Sequence, residues 1–69
     1  MAVCRTSDQR VFASYYAKGI HYYDPQGNKL GSYTTDNSPL TNNYVMDLIE
    51  YKGKVWLGTD GGGINLVDL

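Results

Sequence analysis

The feature that most constrains this chain is that it repeats itself. Shifting the sequence by 44 positions lays Val11-Phe12-Ala13-Ser14 onto Val55-Trp56-Leu57-Gly58. The same shift lays Gly19-Ile20-His21-Tyr22-Tyr23-Asp24 onto Gly63-Ile64-Asn65-Leu66-Val67-Asp68. Val, Gly, Ile and Asp recur identically, and Phe12/Trp56 and Arg10/Lys54 recur by type. A period of ~40–50 residues built from short strands is the signature of propeller blades, whose faces are buried only by stacking on neighbouring units.

The segments inside each unit read as strands. Stretches rich in β-branched and aromatic residues alternate with clusters of Gly, Asn, Asp and Pro, the pattern of strands joined by turns. Seven are expected, at 2–6, 11–15, 19–23, 29–34, 45–50, 55–59 and 63–68. Asp24-Pro25-Gln26-Gly27-Asn28 and Tyr51-Lys52-Gly53-Lys54 are the clearest turns between them. No window holds a 3.6-residue apolar period; one helical turn at Pro39-Leu40-Thr41-Asn42 is the most a helix can claim. Apolar residues fall in both alternating sets, Val45 and Ile49 against Met46 and Leu48, then Val55 and Leu57 against Trp56. Such strands are expected to be covered on both faces, as in stacked sheets. The fold class predicted is therefore all-β: antiparallel four-stranded propeller blades, about one and a half of them. Residues 1–44 form a first blade with its connector, and 45–69 a partial second blade.

Size and charge exclude several alternatives. A chain of 69 residues is at most one small domain, and a domain of this size buries only about 60% of the surface its unfolded chain exposes. The lone Cys4 forms no internal bridge, so partner strands are the expected source of extra stability. The net charge is −1 with charges spread singly, which leaves no basic stripe for phosphates and argues against nucleic acid. The longest apolar runs, such as Val55-Trp56-Leu57, are far too short to cross a bilayer. The opening Met1-Ala2-Val3-Cys4-Arg5-Thr6 lacks the apolar stretch of a secretory signal, so a signal of the parent is expected outside this piece.

The second unit carries a resemblance. Tyr44-Val45-Met46-Asp47-Leu48-Ile49-Glu50 followed by Gly53-Lys54-Val55-Trp56-Leu57-Gly58-Thr59-Asp60-Gly61-Gly62-Gly63-Ile64-Asn65 resembles the regulator-propeller repeat. That pattern is an apolar strand, an acidic turn ending in Gly, an apolar-Trp-apolar-Gly-Thr strand and a Gly-rich turn. Leu40-Thr41-Asn42-Asn43 fits the connector that precedes such blades. The first unit departs from the pattern: Phe12 stands for Trp56, Ser14 and Tyr15 for Gly58 and Thr59, and Tyr16-Ala17-Lys18-Gly19 for the glycine run. The resemblance implies the extracytoplasmic sensor region of a Bacteroides-type hybrid two-component system, responsive to oligosaccharides and placed in the periplasm. The histidine kinase of such a system lies in another segment. The partners expected are the remaining blades of a parent chain, as the resemblance implies, or copies of this chain, since one and a half blades cannot close a ring.

Individual motifs weigh towards recognition and scaffold. Gly58-Thr59-Asp60-Gly61-Gly62-Gly63 lacks the spacing and the Lys of a phosphate loop and reads as a turn. Trp56 is expected to pack between blades. His21 is the single histidine, with no second His or Cys at ligand spacing, so neither a metal nor a cofactor is expected. The carboxylates fall mostly at turns and strand ends, and nothing selects a catalytic pair. In a four-stranded blade the second-to-third-strand turn and the blade-to-blade connector share one rim. That rim gathers Tyr15, Tyr16, Asn42, Asn43, Tyr44 and Asp60, which offer stacking faces and polar groups suited to a carbohydrate. Two other readings stay open: a blade of a propeller enzyme, such as a lyase or glycan hydrolase, and a stand-alone β module that oligomerises.

Overall fold

A computed structural model describes residues 2–68; Met1 and Leu69, the outer limits of the two predicted units, lie outside the described residues. The protein is all-β. Its strands are β1 (Val3–Arg5), β2 (Val11–Ser14), β3 (Ile20–Tyr23), β4 (Lys29–Tyr33), β5 (Val45–Tyr51), β6 (Lys54–Thr59) and β7 (Ile64–Asp68). They form two antiparallel sheets, β1-β2-β3-β4 and β5-β6-β7, in which every strand pairs only with its neighbours in sequence. Pro39-Leu40-Thr41-Asn42 is irregular rather than helical, and among the described residues no helix is long and apolar enough to cross a membrane.

The turns follow from their residues. Lys52 and Gly53, at φ 53° and 77°, close a two-residue hairpin between paired Tyr51 and Lys54, the geometry whose twist matches that of the flanking strands. At the β3–β4 turn the Asp24 carboxylate accepts from the backbone N–H of Gln26 (3.0 Å) and Asn28 (2.9 Å). It thereby supplies the acceptor that makes Asp a turn former.

The repeat holds at the level of register. Within the first sheet Val11, Phe12, Ala13 and Ser14 oppose Tyr23, Tyr22, His21 and Ile20. Within the second, Val55, Trp56, Leu57 and Gly58 oppose Val67, Leu66, Asn65 and Ile64, each pair displaced by the same 44 positions. Even the turn bond recurs, from Tyr15 N to Gly19 O and from Thr59 N to Gly63 O, both 3.1 Å. The first strands differ: Cys4 opposes Phe12, whereas Ile49 opposes Trp56. The 44-residue counterpart of Cys4 is Leu48, so β5 sits one residue out of step.

The core lies between the sheets. Phe12 and Ile20 from the first sheet meet Leu40 of the connector and Val45, Leu48, Val55 and Leu57 of the second. Phe12, Ile20, Val55 and Leu57 are wholly buried. Tyr22 extends the core, its ring stacked between Phe12 and Tyr33 at centroid distances of 5.4 and 5.3 Å. It lies across Gly31, where a Cβ would sit 2.6 Å from its hydroxyl. The sheets come closest where β1 and β2 face β5. Beside β7 a groove of about 570 Å³ opens, lined by residues of β7 together with Tyr33 and the Ser38–Thr41 stretch.

Two sequence expectations are corrected here. Val45 and Leu48 are buried together, while Met46 and Ile49 are 67% and 55% exposed. A β-bulge between Val45 and Asp47 explains it, because an extra residue breaks strict alternation and re-aims the side chains before it. The expected cover on both faces is also absent among the described residues. The outer side of the second sheet, which carries Ile49, Trp56, Ile64 and Leu66, has nothing packed on it; Ile64 is 69% and Leu66 50% exposed.

Candidate functional site

The rim residues are held by the turn between β2 and β3, the turn between β6 and β7, and the connector from β4 to β5. Gly19 anchors the first of these. Its N–H donates to Asn43 O at 2.9 Å, and a Cβ at this position would lie 2.2 Å from Tyr33 O. Its φ of 72° adds a second reason for glycine. The connector is tied to the second turn as well: Asp60 N–H donates to Tyr44 O at 2.9 Å, and Thr41 Oγ1 donates to Gly62 O at 2.7 Å.

The six residues separate by role. Tyr16 and Tyr44 come together, ring edge to ring face, with centroids 5.2 Å apart and planes at 86°. Tyr16 is 85% exposed, and Tyr44 and Asp60 are exposed as well. An aromatic pair open to solvent, tied through Tyr44 O to the backbone of the exposed Asp60, supplies an apolar platform on a turn that also carries a carboxylate. Tyr15 is not part of this group. It tilts over His21 at a centroid distance of 4.3 Å, and its hydroxyl meets that of Tyr23 at 2.7 Å on the outer side of the first sheet.

Asn42 and Asn43 work as clamps. Asn42 accepts from Tyr44 N–H at 2.7 Å and donates to Asp60 O at 2.6 Å. Asn43 accepts from Thr35 N–H at 2.9 Å and donates to Thr35 Oγ1 at 3.2 Å. Their amides hold Tyr44 and the connector in place, which positions the pair.

Sequence reading missed one participant at the rim, Asn65. Asn65 accepts from Thr41 N–H at 2.9 Å and donates to Thr41 Oγ1 at 3.0 Å. Its polar side chain between Ile64 and Leu66 was the available signal. His21 sits against Tyr15, and burial, with Lys29 and Lys18 nearby, pushes its imidazole below the ordinary range. The Tyr15 hydrogen bond in turn raises the Tyr23 phenol.

Away from the rim, Arg10 pairs with Asp8 at 2.6 Å. That guanidinium, together with the Thr6 hydroxyl, holds the Asp8 carboxyl down to about 2. Among the described residues no three His, Cys, Asp or Glu side chains are gathered as a metal ion would need. The chain matches no known protein family, no curated protein and no solved structure.

Proposed function

We propose that this chain is part of the extracytoplasmic β-propeller sensor region of a hybrid two-component regulatory system, where it supplies scaffold and a recognition surface for oligosaccharide signals. The supporting observation is the Tyr16–Tyr44 pair, an exposed aromatic corner whose Tyr44 carbonyl accepts from the backbone N–H of the exposed Asp60. A sugar ring presents apolar C–H faces flanked by hydroxyls, and an aromatic face on a rim that also carries a carboxylate complements both. The regulator-propeller pattern of residues 44–65 supports the sensory setting, and with it a periplasmic place and a kinase in another segment. In this reading the segment performs no chemistry, and its partners are the other blades of a parent chain or copies of itself.

The test is a titration of the chain with a panel of neutral oligosaccharides, followed through the ring-proton resonances of its tyrosines. Binding is expected to move Tyr16 and Tyr44 and to leave Tyr33 in place. Tyr16→Ala or Tyr44→Ala should weaken it about tenfold, the loss of one aromatic contact of ~1–1.5 kcal/mol. If the panel moves no tyrosine resonance, or if both variants bind as the parent does, the recognition role is wrong.

A further inference from the structure

The outer side of the second sheet has a counterpart inside the molecule that is fully packed. Trp56, Ile64 and Leu66 stand 44 positions after Phe12, Ile20 and Tyr22, and the two hairpins share one register. Phe12 and Ile20 are wholly buried against the second sheet, whereas Ile64 is 69% and Leu66 50% exposed. The first sheet therefore shows what covers this face: the odd-numbered side of a repeat unit, represented in the core by Val55, Leu57 and Val67.

The same chain carries a second odd-numbered side. Val11, Ala13 and Tyr23 occupy the positions of Val55, Leu57 and Val67 on the outer side of the first sheet. Val3, opposite Ala13 on that side, is 63% exposed. Ala13, although shielded, stands outside the core cluster.

We propose that the outer face of β5-β6-β7 binds the outer face of β1-β2-β3-β4 of a second copy of this chain, head to tail. The sizes compensate over the whole face. In the core the side carrying Phe12, Ile20 and Tyr22 packs on one carrying Val55, Leu57 and Val67; of the two outer faces, one carries the larger Trp56 with Ile64 and the smaller Leu66, and the other the smaller Ala13 with Val11 and the larger Tyr23. Conserving summed volume in this way is what lets the same backbone spacing recur. Gly58 also leaves a hollow of about 190 Å³ between Ile49, Trp56 and Ile64, a socket for a projecting side chain of the incoming sheet. Because the two faces differ, the contact is heterologous, and it propagates until rotation closes a ring.

This self-association builds on the partner half of the reading above. Mass and sugar binding are measured separately, so either can fail alone.

The experiment is sedimentation velocity and light scattering on the full chain from micromolar to millimolar concentration. The mass is expected to rise with concentration. Ile64→Lys and, independently, Leu66→Lys should weaken association about tenfold or more, since each puts a charge into a desolvated contact. Both positions are exposed in one copy, and an unchanged far-ultraviolet dichroism spectrum verifies the fold. Val3→Glu should do the same from the opposite face. A mixture of Ile64→Lys and Val3→Lys chains, whose two altered faces repel each other, should yield a one-to-one pair that grows no further, because each chain keeps one intact face and the two intact faces are complementary. A folded monomer throughout overturns the proposal. So does association that Ile64→Lys disrupts and Val3→Glu leaves alone, which would make the contact symmetric.

Discussion

Glu50 reaches from the second sheet to the first: its carboxylate accepts from Ser7 N–H at 2.8 Å and from Ser7 Oγ at 2.6 Å. Ser7 lies in the β1–β2 loop, where the sheets are closest. The bond therefore fixes how the second sheet meets the first, in addition to what apolar burial contributes.

Glu50→Ala is expected to lower stability by about 1 kcal/mol, the scale of a charge-assisted hydrogen bond discounted for its exposure. Urea denaturation checks this, with Ser7→Ala as the partner variant. Ser7→Ala removes only the Oγ bond and keeps the N–H bond, so it should cost less; the double variant should cost little more than Glu50→Ala alone, which already removes both.

Gly19 and Gly27 both have positive φ, 72° and 90°, yet only Gly19 faces backbone at close range. Gly27→Ala should cost about 1 kcal/mol for conformation alone. Gly19→Ala should cost at least ~2 kcal/mol, because Tyr33 and the connector must also shift. Equal denaturation midpoints for the two variants would show that the close approach carries no weight.

Tyr22→Leu places at position 22 the residue that the second unit has at Leu66. It removes the ring stacked between Phe12 and Tyr33 and empties the space over Gly31. A loss of ~1–3 kcal/mol is expected from thermal or urea unfolding.

Three groups make the fold sensitive to acid: Asp8, His21 and Asp24, whose carboxyl is held below its ordinary range by hydrogen bonds from Asn28. Asp8 has its pKa lowered in the folded state, from 3.8 to about 2. Its contribution is present above pH ~4 and is lost as pH falls towards ~2; solvent screening of this exposed pair limits it to about 1 kcal/mol at most. His21 is also depressed, so below pH ~6.5 the unfolded chain takes up its proton first and stability declines. The low-pH slope of stability should shrink in Asp8→Asn, with the part due to Asp24 remaining. The decline just below neutrality should be smaller in His21→Asn, which copies Asn65.

The strands were legible because each is a short β-branched or aromatic run between residues with a turn-forming mechanism, as at Asp24-Pro25-Gln26-Gly27-Asn28. The 44-residue shift proved legible down to register in the β2–β3 and β6–β7 hairpins. What could not be read was which side chains share a face in β5. The bulge between Val45 and Asp47 has no glycine or proline to announce it, and it depends on how β5 meets β6 and the core. At the rim, residue type brought Tyr16, Tyr44, Asn42, Asn43 and Asp60 to notice. Only packing showed that the amides are spent on Thr35, Tyr44 and Asp60 backbone or hydroxyl groups, while Tyr15 turns to His21 and Tyr23.

Within each sheet every strand pairs with its neighbour in sequence, which gives the chain a short conformational search. Hairpins close in microseconds, long before distant segments meet. The slow event left is the meeting of two preformed sheets across the 34–44 connector. At that moment the inner face of one sheet cannot distinguish its own partner from the same sheet on a neighbouring molecule. Refolding at high concentration will therefore favour exchanged pairs, with the connectors crossing between chains, and dilution during refolding should suppress them.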